Sequence, residues 1–202
     1  MATPNFQPPT SKAPGALRLG VGSWSLGVFL LAVLEASLAG SGSPVQPRVT
    51  VEETQGTYAV AAQFEVPQPS SRALAVLTDY EQIPRFMPGV RSSIVRERSY
   101  GRVLVEQEAV SRMMMFSKRI HLLLEVREEV DTLRFRDAAG RSFTTYEGTW
   151  HLAERDGRTV ITYQLRAKPN FEVPGFLLGR LLKRDARQMI DSLRAEIAAR
   201  RD

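Results

Sequence analysis

A chain of 202 residues that is 43% hydrophobic and 24% charged is long enough for one globular domain with an extension, and too apolar to be disordered throughout. It has no cysteine, which excludes disulfides, a thiolate nucleophile and a cysteine-ligated metal. The net charge of +5 is spread over alternating acidic and basic residues, the pattern of a solvated surface; without an aromatic-interleaved basic stripe, it argues against nucleic acid as a partner.

Residues 1–18 are rich in Pro, Thr, Ser and Ala and carry only Lys12 and Arg18 as charges, a composition that predicts disorder. Leu19 to Leu34 is an uncharged, mostly apolar run, and Ser37-Leu38-Ala39 then offers small residues where a signal peptidase reads. Basic flank, short apolar core and small-x-small ending predict a signal peptide or membrane anchor within residues 1–39. Cleavage is favoured, because the run is shorter than the about 20 residues a spanning helix needs. The expectation is a protein exported to a periplasm or lumen, or tethered to a membrane. Residues 40–55, rich in Gly, Ser and Pro and then of mixed charge, read as a linker to a domain at 56–202.

In that domain Tyr58, Val60, Ala62, Phe64 and Val66 alternate with smaller or polar residues, a strand with one buried face. Pro67 and Pro69 stop it. Ser70 or Ser71 then suits the N-cap of a short helix through Leu74, Val76 and Leu77, and Asp79-Tyr80-Glu81-Gln82 resembles a capping box opening a second, ended by Pro88-Gly89. Six strands follow: Ser93–Arg98, Arg102–Ser111, Lys118–Arg127, Thr132–Arg136, Ser142–Leu152 and Thr159–Lys168. Their apolar faces include Val103 and Val105, Ile120 to Val126 in steps of two, Leu133 and Phe135, Tyr146 to Leu152, and Ile161 to Ala167. Asp156-Gly157 marks a tight hairpin.

From Leu178 the apolar period changes to three and four residues, through Leu181, Leu182, Ala186, Met189, Ile190, Leu193 and Ile197. Such a helix draws its stability from burying that stripe, so an apolar surface must face it. Consecutive strands with short turns pair antiparallel. The expected architecture is α+β: a curved seven-strand antiparallel sheet wrapped around a long C-terminal helix, with two short helices after the first strand.

That order, with Leu77-Thr78-Asp79-Tyr80-Glu81-Gln82-Ile83-Pro84-Arg85-Phe86-Met87-Pro88-Gly89, Tyr146-Glu147-Gly148-Thr149-Trp150, and Ala167-Lys168-Pro169-Asn170-Phe171 running into Val173-Pro174-Gly175-Phe176, resembles the START-like (SRPBCC, helix-grip) superfamily over residues 56–200. Within it the chain is most similar to the polyketide cyclase/dehydrase and coenzyme Q-binding branch. The resemblance implies a hydrophobic cavity holding a lipid, polyketide or isoprenoid quinone, and no shared catalytic apparatus.

The candidate lining of that cavity is Gln107, Leu122, Leu124, Phe135, Tyr146, Trp150 and Tyr163 from the strands, with Leu178, Leu182 and Met189 from the helix. Tyr146, Trp150, Tyr163, Gln107 and Lys118 bring polar groups to an otherwise apolar face, as a small-molecule site requires. The Met-rich segment at 112–116 reads as an adaptable rim or a folded-in hairpin tip. Phe176 and Leu177 beside Leu178 make the first helical turn apolar all round. With Arg180 nearby, they read either as a gate in peripheral contact with a membrane or as ordinary packing.

No phosphate loop, nucleophile elbow or zinc-protease motif occurs. His121 and His151, the only two histidines, fall out of phase with the apolar faces and read as outward residues, not as metal ligands. No catalytic residue, metal or cofactor is expected; a quinone or lipid would be cargo. The reading is a non-catalytic carrier of a hydrophobic small molecule. Its alternatives are a cyclase or dehydratase with Tyr146 or Tyr163 as proton donor, and a partner-binding module whose interior is filled by its own side chains.

Overall fold

The strand and helix periods of the sequence locate nearly every element in the computed structural model of the protein, which describes residues 46–113, 116–172 and 175–200. The expected signal or anchor at 1–39 lies outside the described residues. The order is β1 (Arg48–Thr54), β2 (Thr57–Val66), α1 (Ser70–Leu77), a 3₁₀ turn (Tyr80–Gln82), α2 (Ile83–Phe86), β3 (Val90–Ser99), β4 (Arg102–Met113), β5 (Phe116–Glu128), β6 (Thr132–Asp137), β7 (Phe143–Arg155), β8 (Arg158–Pro169) and α3 (Gly175–Ala199).

The sheet has eight strands, one more than expected, in the order β1-β2-β8-β7-β6-β5-β4-β3. Every neighbouring pair is antiparallel. The additional strand is β1, which corrects the reading of residues 40–55 as linker throughout. It pairs with β2 from Arg48 opposite Gln63 to Thr54 opposite Thr57. The turn between them is Gln55-Gly56, both in the left-handed region with φ of 51° and 74°, as a two-residue hairpin loop demands. The short helices consequently follow the second strand, not the first.

Two expected helix caps also take other forms. The N-cap of α1 is Pro69, with no side-chain cap of its own. Its first turn is instead met from outside: the Glu154 carboxylate of β7 accepts hydrogen bonds from the Ser70 N–H (3.0 Å) and hydroxyl (2.8 Å). Asp79 makes no cap bond to the 3₁₀ turn. Its carboxylate pairs with Arg200 at 2.8 Å, while Arg200 also bonds Glu196 at 3.0 Å. The end of α3 is thereby fastened to the junction after α1. Tyr80, buried, donates its hydroxyl to Glu128 at 2.8 Å.

The core lies between one face of the sheet and α3. Phe64, Val66, Ile161 and Leu152 meet Ile190, Leu193 and Ile197 from the C-terminal half of the helix, together with Ala73 and Val76 of α1. Nearer the start of α3, Leu178 and Leu181 pack on Tyr58, with Val51 of β1 beside them. The opposite face is paired charge: Arg136 with Glu125 (2.8 Å), Arg134 with Glu129 (3.2 Å), Arg166 with Glu147 (3.3 Å) and Arg96 with Glu106.

Candidate functional site: a cavity under the first half of the long helix

The filled core occupies only part of the length of each strand. Toward the other end, where β4 meets β5 and α3 begins, sheet and helix enclose a cavity of about 960 Å³. Its floor is buried and apolar: Val60 on β2, Leu122 on β5, Leu165 and Ala167 on β8, and Leu178 and Ala186 on α3. Its rim includes the α2–β3 connection from Met87 to Gly89 with Val90 and Arg91 at the start of β3, Ser117 and Lys118 at the start of β5, and Phe171 with Glu172 before α3.

Seven of the ten residues expected to line it do so: Gln107, Leu122, Tyr146, Tyr163, Leu178, Leu182 and Met189. Leu124, Phe135 and Trp150 do not; they pack against the filled core. They share the face of the lining residues, Trp150 directly opposite Tyr163 in the register of β7 and β8 and Leu124 one step beyond Leu122 on β5. Of the gate residues, Leu177 is partly buried and lines the cavity, and Arg180 is exposed and outside its lining. The side chain of Phe176 lies outside the described residues, as do those of segment 112–116.

The polar groups on the wall are few and tied together. The hydroxyls of Tyr146 and Tyr163 lie close enough for each to shift the other's titration. Burial pushes the Tyr146 hydroxyl up to about 12. It raises that of Tyr163 well above the usual tyrosine range, with the neighbouring Tyr146 oxygen adding to the effect. Both rings are held by aromatic neighbours: Trp150 lies 4.3 Å from Tyr163 between centroids, and Phe143 lies 4.9 Å from Tyr146. Phe135 reaches both, at 6.0 and 6.3 Å, so although outside the lining it backs the pair. Its ring passes over Gly148, where any Cβ would collide with it. The Gln107 amide donates to Ser93 Oγ at 3.0 Å, which holds it against β3.

At the rim, the Lys118 ammonium sits 4.7 Å from the centre of the Phe171 ring, a cation–π contact. Phe171 itself meets Phe143 edge-on at 6.2 Å. Tyr58 and Val60, expected on a buried face but not at the site, also line it, and so does Arg91. The alternation at residues 58–66 could have flagged the first two. Nothing in the local pattern could have flagged Arg91, because a register shift between Val90 and Ser92 puts it there.

The histidines stand on the other face of the sheet. His121 lies 3.3 Å from Glu106 and 2.9 Å from Arg141, and His151 lies 3.2 Å from the Thr132 hydroxyl. Their partners come from across the sheet, not from the sequence neighbours Glu125 and Glu147. Among the described residues no group of three or more His, Cys, Asp or Glu is placed to hold a metal ion. No described helix is long and apolar enough to cross a membrane.

Residues 66–194 match the family described as polyketide cyclase / dehydrase and lipid transport. Compared by sequence with curated proteins, the chain matches none. Among solved structures it is similar to a STAR-related lipid transfer protein (fragment 25–204) from Xanthomonas axonopodis, at 17% identity and a TM-score of 0.62, covering 80% of this chain and 98% of that one. It is also similar to the Zhui aromatase/cyclase from Streptomyces sp. R1128, at 13% identity and a TM-score of 0.57, over 70% of this chain and 94% of that one. Human STARD10 aligns at 11% identity and a TM-score of 0.60, over 77% and 74% respectively. At these identities the likeness is one of fold.

Proposed function

Because the chain belongs to the polyketide cyclase / dehydrase and lipid transport family, we propose that it binds and carries a hydrophobic small molecule, a lipid or isoprenoid quinone, without converting it. The observation that carries this reading is the cavity of about 960 Å³ with a buried apolar floor. Small-molecule sites span about 300–1,000 Å³ and combine an apolar wall with a few fixed polar groups, and this one stands at the large end. A cavity of that size weighs against a partner-binding module with a filled interior.

The tyrosine pair supports binding over chemistry. General acid–base catalysis works best with a group that titrates near the working pH, and burial moves both hydroxyls the other way. A buried O–H of this pair, on an otherwise apolar wall, is suited to orienting a carbonyl or ester oxygen of a bound molecule. In the cyclase reading that same O–H would protonate substrate, and turnover would vanish in a Tyr146→Phe or Tyr163→Phe variant that still binds.

The test is native mass spectrometry with lipid extraction on protein purified from its own membranes or periplasm, followed by uptake of lipid and quinone from donor vesicles. A co-purified or captured lipid or quinone at one per chain is the expected result. A clean apo mass together with no uptake would overturn the reading. We further propose export or membrane tethering through the N-terminal apolar run, with Phe176, Leu177 and Arg180 touching the bilayer while cargo passes. Flotation with liposomes should be lost in Phe176→Asp; equal flotation, or none by either protein, would sink the membrane contact.

A further inference from the structure

The rim of the cavity carries charge that its floor does not. Lys118 and Arg91 both line it and both are exposed. Among the described residues neither has a carboxylate within ion-pair reach, whereas the arginines of the outer sheet face largely do. Each is also positioned by a specific device. The Lys118 ammonium is drawn onto the Phe171 ring at 4.7 Å, which keeps it over the opening instead of trailing into solvent. Arg91 is the extra residue of a bulge: Val90 pairs with Ala109 and Ser92 with Glu108, leaving Arg91 unopposed. A regular strand would send consecutive residues to opposite faces, but here Val90 and Arg91 both line the cavity.

The remaining charges at the rim do not cancel these two. Arg184 and Asp185 pair with each other at 2.9 Å. That leaves the exposed Glu172 as one carboxylate against two cations.

We infer that this rim holds the acidic head of an amphiphile, a carboxylate or phosphate taken by Lys118 and Arg91, while its apolar chain runs inward toward Leu122 and the tyrosine pair. The inference rests on the carrier reading and narrows it to cargo with an anionic end. Lysine supplies a compact point charge, and arginine a planar fork that matches both carboxylate and phosphate oxygens. The long apolar floor supplies affinity for the chain whatever its head, so the head decides selectivity.

The experiment is isothermal titration calorimetry of the full chain with three ligands of one chain length, dodecanoate, dodecyl phosphate and dodecanol, at monomeric concentrations and without vesicles. Omitting vesicles separates recognition of a head in the cavity from attraction to an anionic bilayer. Charge-assisted hydrogen bonds predict that at least one acid binds about tenfold more tightly than the alcohol. The advantage should shrink as salt is raised. In the Lys118→Met, Arg91→Met double variant it should disappear with dodecanol affinity unchanged, and Lys118→Arg should retain it.

If all three ligands bind wild type equally, or the double variant keeps the preference, the inference falls and the carrier reading stands. If none binds, the inference falls, and the uptake of lipid and quinone decides the carrier reading. The stronger of dodecanoate and dodecyl phosphate names the head.

Discussion

Glu154, near the end of β7, accepts both hydrogen bonds that Ser70 offers at the first turn of α1, one from its backbone N–H and one from its hydroxyl. A carboxylate there satisfies an otherwise orphaned N–H and meets the positive end of the helix dipole. The Ser70 backbone bond, followed by its hydroxyl, holds the Glu154 carboxyl below the usual range. A depressed carboxyl pKa contributes stability that is present above the unfolded value, near 4.3, and lost as pH falls through the folded value. Glu154→Gln should therefore unfold at lower urea than wild type at pH 7, with the gap closing toward pH 3. A gap that stays constant with pH would show that the charge plays no part.

Gly148 is the position on β7 least able to accept a side chain. A Cβ there would meet the Gln164 carbonyl oxygen of β8 and the Phe135 ring, both too close for any relaxed contact. The ring could move, the strand backbone could not. Gly148→Ala should cost about 1–3 kcal/mol in chemical denaturation, the range of overpacked cores. Displacing Phe135 should also disturb the Tyr146–Tyr163 pair, visible as altered near-ultraviolet circular dichroism.

Gly179 is the reverse case. It lies within α3 and a Cβ there meets nothing within 4 Å. Glycine inside a helix costs about 0.5–1 kcal/mol relative to alanine. Gly179→Ala should stabilise the protein by that amount, read from the urea midpoint. Unchanged or lowered stability would mean that this turn of α3 needs the freedom of a glycine.

Four of the five tyrosines have raised pKa values, with desolvation the leading cause in each. The folded state therefore keeps protons that the unfolded chain releases above about pH 10. Stability is untouched below that value and falls as pH rises from it toward the folded value of Tyr146, about 12. Tyrosinate absorbance near pH 11 should be clearly lower in native than in urea-unfolded protein. Tyr146→Phe and Tyr163→Phe should each cost about 1 kcal/mol, and the double variant less than the sum, because neighbouring hydroxyls that act on each other do not contribute independently.

Strand and helix periods were strong enough to reveal β2 and β4 to β8, and α3 from Leu178 on, because each buries one continuous face; β3, expected at Ser93–Arg98, was marked by the turn that ends it. β1 was hidden by its place at the sheet edge. Of its seven residues only Val49 is buried, and Glu52 and Glu53 face solvent, so it carried little of the alternation that marks a half-buried strand. The caps failed for a related reason. Ser70 and Asp79 have the side chains that cap helices, but Glu154 and Arg200, distant in sequence, offered better partners. At the site, a period of two tells which face a residue occupies and not how far along the strand it lies. Leu122 and Leu124 are indistinguishable by pattern, yet Leu122 lines the cavity and Leu124 does not. That boundary is set by how elements pack on one another, which no single strand encodes.

The same boundary divides the molecule's tolerance of change. Ile161, Ile190 and Leu193 are fully buried, and a lost methylene there leaves a void that must be carried by the fold. Around Leu122, Leu165 and Leu178 the space opposite is already open, so a changed side chain alters the volume and shape offered to cargo before it alters folding. Substitutions there are the inexpensive route by which one scaffold could come to hold a different molecule. A library confined to the open half should give mostly folded proteins with shifted cargo preference, and the same library in the closed half mostly unfolded ones.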